Sequence, residues 1–136
     1  MDVDALVPLL REAVPGLVAC YLFGSQAGGT AGAESDVDLA VLGERRLTEA
    51  ERWELQATLA SHFGSDVDVV DLLQASDVLR VQVIDGGRLL YDGAPSARAR
   101  FEALALSAYA RLNEERRGIL EDIKQRGNVF GAVSPR

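Results

Sequence analysis

The stretch YLFGSQAGGTAGAESDVDLAVL, Tyr21 to Leu42, decides the reading of this chain. A short apolar run stops at Gly24-Ser25. Ten residues poor in bulky side chains come next, and Asp36-Val37-Asp38 then opens a second apolar run. In an extended strand, residues i and i+2 point to one face. Asp36 and Asp38 therefore project together, while Val37, Leu39 and Val41 pack the other face. Two carboxylates held side by side repel each other and are tolerated where a divalent cation lies between them. Mg2+ suits such a place, because it takes a few carboxylates and completes its shell with substrate phosphate oxygens. The glycine lets the backbone approach a phosphate closely, the N–H groups of the following turn point at the anion, and Ser25 adds a hydroxyl. The small-residue loop between turn and Asp pair leaves room for a triphosphate. The stretch reads as strand, phosphate-holding turn, and strand carrying metal ligands.

A second acidic strand, DVDVVDL over 66–72, supplies a third carboxylate. Asp66 and Asp68 share one of its faces and Asp71 falls on the other. If this strand lies beside the first, Asp68 joins Asp36 and Asp38 in a two-metal site for phosphoryl or nucleotidyl transfer. Asp66 is the alternative on the same face. Asp71 reads as a turn cap.

Outward from these strands the pattern is that of one α/β domain. Residues 3–14 carry Leu6, Leu9, Leu10, Ala13 and Val14 at helical spacing, and Pro15-Gly16 ends that helix. LVACYLF, 17–23, is a buried strand, and a short helical turn is expected to start at Ser25. TEAE at 48–51 is a capping box ahead of a helix with Leu55, Leu59 and Phe63 on one face, stopped by Gly64. Ser76 caps a further helix that Gly86-Gly87 terminates, RLLY at 88–91 is a short strand, and Asp92-Gly93 is a turn. A long helix runs from Ser96 to about Arg117 with Phe101, Leu104, Ala105, Ala108 and Leu112 on one stripe. It is longer than a core of this size requires, so its distal part is open to a partner. The expected order is αβ(α)βαβαβα: a small mixed sheet flanked by helices, with a domain over 1–126 and a flexible tail over 127–136.

Composition narrows the function. A net charge of −7, with clustered Asp and thinly spread Arg, disfavours direct nucleic-acid binding, which rests on basic patches. A carboxylate-rich protein that handles phosphates does so through bound cations. No apolar run approaches the ~20 residues of a membrane helix, and the acidic start MDVDALVPLL lacks the basic opening of a secretory signal. The single cysteine, Cys20, lies in an apolar run and reads as a buried thiol of a cytoplasmic protein. His62 reads as structural or solvated, Trp53 and Tyr109 as packing or helix-surface residues, and Arg80 as a solvated helix residue within reach of a triphosphate.

The pattern Gly24-Ser25, ten residues, Asp36-Val37-Asp38 resembles the signature of the DNA polymerase beta-like nucleotidyltransferase superfamily. With the later VDVVDL…LR…GGRLLYDG, the chain is similar to the minimal nucleotidyltransferases, above all the MNT antitoxins paired with HEPN ribonuclease toxins. The resemblance covers roughly residues 15–92 and implies the nucleotidyltransferase fold. It implies that Gly24 and Ser25 hold the nucleotide phosphates and that Asp36, Asp38 and Asp68 bind metal; with two Mg2+ ions at the α-phosphate of ATP, Asp68 reads as the proton acceptor. It implies transfer of AMP to a tyrosine of the toxin. Positions 26 and 28 are Gln26 and Gly28, where relatives often carry basic residues. Two alternatives stay open: an antitoxin that inhibits by covering its toxin, and nucleotide transfer to a small molecule. A second copy of the chain is a further open partner.

Overall fold

The computed structural model describes residues 2–24 and 37–130, with side chains as far as 125. In chain order the elements are α1 (Val3–Ala13), β1 (Ala19–Phe23), β2 (Val37–Leu42), α2 (Glu49–Phe63), β3 (Val67–Asp71), α3 (Asp77–Gly86), β4 (Arg88–Asp92) and α4 (Pro95–Phe130). The four strands form one sheet in the order β3-β2-β1-β4. β1 pairs antiparallel with both neighbours, while β2 and β3 are parallel. Parallel neighbours need a crossover, and α2 supplies it.

Alternation along the strands sorts the core into two layers. Cys20, Leu22, Leu39, Val41, Val67 and Val69 face α1 and α2, where Leu6, Leu10, Leu55 and Leu59 are buried. Tyr21, Ala40 and Leu42 point the other way, onto Val83 of α3 and Phe101 of α4. The face expected for Val37, Leu39 and Val41 is the one they occupy. Burial pushes the Cys20 thiol up to about 12, so it stays protonated and behaves as a small apolar side chain.

Local signals set most boundaries. Thr48 accepts from the Glu51 backbone N–H at 3.0 Å, and the Glu51 side chain accepts from the Thr48 N–H at 2.8 Å, closing the capping box of α2. Arg45 grips the same Glu51 with two bonds of 2.9 and 2.8 Å. That grip, with the Thr48 backbone bond, holds the Glu51 carboxyl down at about 2. Ser76 caps α3 by accepting from Leu79 N–H at 3.1 Å. Gly64, at φ +71°, ends α2 in the left-handed conformation.

Three features differ from the sequence reading or add to it. First, α4 passes the expected end near Arg117 and runs to Phe130, so the tail expected from 127 begins as helix; residues 131–136 lie outside the described residues. Second, Arg80 is not a solvated side chain. Its Nε donates to Leu72 O at 2.8 Å and its Nη2 to Leu73 O at 3.0 Å, and its guanidinium lies 5.3 Å from the centre of the Phe101 ring. It ties α3 and α4 to the end of β3. Third, the Tyr21 hydroxyl donates to Glu102 Oε2 at 2.6 Å, Arg98 pairs with Glu102 at 3.1 Å, and Arg98 Nε lies 3.0 Å from Asp92 Oδ2. This cluster pins α4 to β1 and β4. Burial first, then the bond to Glu102, pushes the Tyr21 hydroxyl well above the ordinary tyrosine range, so it remains a neutral donor. Trp53 is a helix-surface residue, 70% exposed, and His62 is exposed against the Phe63 ring.

Candidate active site

The site is built where β1 stops and β2 and β3 start. Phe23, the last residue of β1, lies opposite Asp38, and Gly24 follows at once. Gly24 has φ +76°, a left-handed conformation that side-chain-bearing residues rarely adopt. A Cβ placed there would collide with Asp38 Oδ2. Two independent constraints, backbone angle and missing volume, thus explain why this position is glycine. The turn sits directly on the carboxylate, which makes it one unit with the acidic pair.

Asp38 of β2 and Asp68 of β3 are register partners in the parallel ladder. Adjacent strands run about 4.8 Å apart and partners point to the same face, so these two carboxylates stand side by side. At about 5 Å their mutual repulsion is roughly 1 kcal/mol in water and several-fold more near a protein surface. Asp38 is half-buried and Asp68 exposed. The arrangement concentrates negative charge at an accessible sheet end, the setting in which a cation is favoured.

The other acidic residues sort themselves by position. Asp66 precedes β3 and borders a shallow cleft against α2 with Trp53, Gln56 and Ala60. Asp71, at the far end of β3, is buried and accepts from Leu47 N–H at 2.7 Å, Leu73 N–H at 3.0 Å and Gln74 Nε2 at 2.9 Å. It caps the turn after β3, as its face predicts, and also ties in the chain before α2. Ser25 and Asp36, with the short helical turn expected after Gly24 and the Gln26 and Gly28 positions, lie outside the described residues. Of the five site residues read from the sequence, the structure therefore describes Gly24, Asp38 and Asp68, and it brings all three together. Among the described residues no three metal-donating side chains cluster. The pair present offers only hard carboxylate oxygens, the donors Mg2+ prefers, so the residues fit that ion.

Sequence reasoning did not find the Tyr21–Glu102–Arg98–Asp92 cluster behind the site. The four-residue spacing of Arg98 and Glu102 was its one visible signal. Nor did it anticipate the contact between Gly24 and Asp38, which joins residues fourteen apart in the chain across the β1–β2 ladder.

A mixed sheet with a glycine turn at one strand end and paired carboxylates on the next two strands defines a nucleotidyltransferase. The sequence profile of the family described as "Polymerase beta, Nucleotidyltransferase" matches residues 6–95, and the chain belongs to that family. More particularly, it is 41% identical over 123 residues to protein adenylyltransferase MntA of Shewanella oneidensis, covering 90% of this chain and 88% of that one. It superposes with a TM-score of 0.81 and 40% identity on a chain of a toxin–antitoxin crystal structure with AMP-PNP, covering 91% of this chain and 99% of the other. A structure of the tri-AMPylated Shewanella oneidensis HEPN toxin in complex with MNT antitoxin matches with a TM-score of 0.73 and 38% identity, over 90% and 95% of the two chains. No helix among the described residues is long and apolar enough to cross a membrane.

Proposed function

We propose that this chain is a protein adenylyltransferase antitoxin, which moves AMP from ATP onto a tyrosine hydroxyl of a HEPN-type ribonuclease toxin and so silences it. The observation that carries this reading is the adjacency of Asp38 and Asp68, in register at the starts of two parallel strands, with Asp38 set against the Gly24 turn. The likeness to an adenylyltransferase and to an antitoxin chain crystallised with AMPylated toxin supports it.

Gly24 and Ser25 hold the triphosphate tail through backbone N–H groups and the serine hydroxyl. That fixes the α-phosphorus near Asp38. Asp36, Asp38 and Asp68 would hold Mg2+, two ions; bound there, the metal supplies neutralisation of phosphate charge and acidification of the attacking hydroxyl. Asp68, the more exposed carboxylate, takes the phenolic proton. The tyrosine oxygen forms a bond to the α-phosphorus, the bond from that phosphorus to the oxygen bridging to the β-phosphate breaks, and pyrophosphate leaves. The parallel ladder of β2 and β3 keeps Asp38 and Asp68 in register, and the bonds of Asp71 tie the far end of β3 to the chain before α2. Proximity and charge, rather than any covalent intermediate on the chain, provide the rate. The protein works in the cytoplasm, where its ATP and toxin are.

Intact-mass spectrometry tests the reaction. Mixed with ATP, Mg2+ and its cognate toxin, the protein is expected to raise the toxin's mass by one or more AMP units and to end its ribonuclease activity. Inhibition without a mass change, preserved in Asp36→Asn/Asp38→Asn, would replace this reading by inhibition through binding alone.

A further inference from the structure

The nucleotidyltransferase match ends at residue 95, where α4 begins, yet the matched length of the MntA relative is 123 residues. Only 94 residues precede α4, so at least 29 of those matched residues fall at Pro95 or beyond it, most of them on α4 itself. A helix retained outside the catalytic module needs a use of its own.

Its direction is legible from its anchors. Arg98 meets Asp92, which is level with Ala19 at the start of β1, and Glu102 meets Tyr21, two residues further along that strand. α4 therefore advances in the same sense as β1, toward Gly24 and the carboxylates. From Tyr21 to Gly24 the strand covers about 10 Å, whereas from Glu102 to Ile123 the helix covers about 30 Å, so α4 overshoots the reacting end of the sheet by roughly 20 Å.

The face that overshoots is the face that packs. Phe101, Glu102 and Ala105 lie on the α4 face turned onto the sheet and α3: Phe101 joins the core layer, Glu102 bonds Tyr21, and Ala105 is 2% exposed, with half-buried Ala108 and Leu112 continuing the face; Leu104, expected on this stripe, is instead 65% exposed. Eighteen residues make five full helical turns. Ile119, Leu120 and Ile123 stand eighteen residues after those three and repeat their orientation. They are 60%, 57% and 55% exposed, because the sheet has run out beneath them. Arg111, Arg116, Arg117 and Lys124 balance Glu114, Glu115, Glu121 and Asp122 along this segment, so it is neutral in a chain of net charge −7. An apolar stripe on a neutral arm, overhanging the acidic end of the sheet, serves neither the triphosphate nor the domain's own core.

We infer that Ile119, Leu120 and Ile123 form the docking stripe for the protein substrate, holding an apolar helical face of the toxin so that its acceptor hydroxyl reaches Asp38 and Asp68. The inference rests on the adenylyltransferase reading, and its test separates the two. Full-length Ile119→Ser/Ile123→Ser is expected to keep its melting temperature and its affinity for AMP-PNP, since both residues are exposed. Its affinity for the purified cognate toxin, measured by calorimetry, is expected to fall tenfold or more, as truncation of central apolar anchors does. In transfer assays the toxin KM rises while kcat at saturating toxin is retained. Unchanged toxin affinity overturns the inference and leaves the adenylyltransferase reading intact. Lost toxin affinity, with wild type that binds toxin but adds no AMP, upholds the stripe and removes the enzyme reading. A wild-type dimer that the double variant dissociates, with toxin affinity unchanged, assigns the stripe to a second copy and also overturns the inference.

Discussion

Asp68 and Asp71 stand three residues apart on one strand, and the fold treats them oppositely. Asp71 is buried and its two oxygens take three hydrogen bonds, from Leu47, Leu73 and Gln74. Asp68 is exposed, stands beside the carboxylate of Asp38, and accepts no hydrogen bond from the described residues. A buried carboxylate must find donors, and once it has them its lone pairs are committed. An exposed carboxylate such as Asp68 keeps its lone pairs for something outside the chain. The contrast separates an acid that holds the fold from an acid that, in the proposed reaction, holds a ligand.

The largest effect that would sharpen the contrast is on chemistry. Asp36→Asn/Asp38→Asn is expected to lower the transfer rate by on the order of a thousandfold or more, with the fold retained by circular dichroism. Asp68→Asn should behave in the same way while Asp66→Asn keeps most activity; the reverse result would move the third ligand to the neighbour on the α2 flank. Single-turnover assays with labelled ATP read both.

Asp71→Ala is the complementary break. It strands the Leu47 and Leu73 N–H groups, a loss of about 3 kcal/mol, and should lower Tm by roughly 10 °C. Calorimetry that finds it as stable as wild type would mean that Asp71 is not the structural member of the pair.

Gly24→Ala comes next in size. The added methyl meets Asp38 and the residue must hold φ +76°, so the turn or the carboxylate has to shift. KM for ATP is expected to rise roughly tenfold, with less change in stability than Asp71→Ala gives. An unaltered KM would detach the turn from the nucleotide.

The smallest effect concerns pH. The grip of Arg45 holds Glu51 at about 2, below its ordinary 4.5. A carboxyl depressed in the folded state contributes stability that is complete above 4.5 and is lost as pH falls through about 2. Arg45→Gln should therefore shrink the acid-range dependence of Tm and lower the neutral value by the same small amount, small because the pair is exposed, while the acid-end values of the two proteins converge. An identical acid limb in both proteins would assign that dependence to other carboxyls.

Legibility in the sequence tracks the range of each interaction. The Gly24 turn, the alternation of β2 and β3 and the caps at Thr48 and Ser76 are set by neighbours within a few residues, and the sequence displays them. Asp71 is assignable because strand parity alone puts it on the other face from Asp68. The expected end of α4 falls short because Gly118 and Gly127 are poor helix formers. Opposite charges spaced three and four apart, such as Glu114 with Arg117 and Arg117 with Glu121, favour continuation. Arg80 reads wrongly as solvated because its acceptors, the carbonyls of Leu72 and Leu73, become available only where β3 ends. The Tyr21–Glu102 bond spans 81 residues and leaves no local trace.

The cluster of Tyr21, Asp92, Arg98 and Glu102 works as a pivot. Everything on α4 beyond Glu102 is a lever arm about it, several times longer than the distance from Tyr21 to the Gly24 turn. A sideways load near Ile123 is thus delivered as a larger force at the pivot, on the strand that runs into the Gly24 turn. A tilt of α4 loads the Tyr21–Glu102 bond on β1, the Arg98–Asp92 pair on β4 and the Phe101 packing against α3 together.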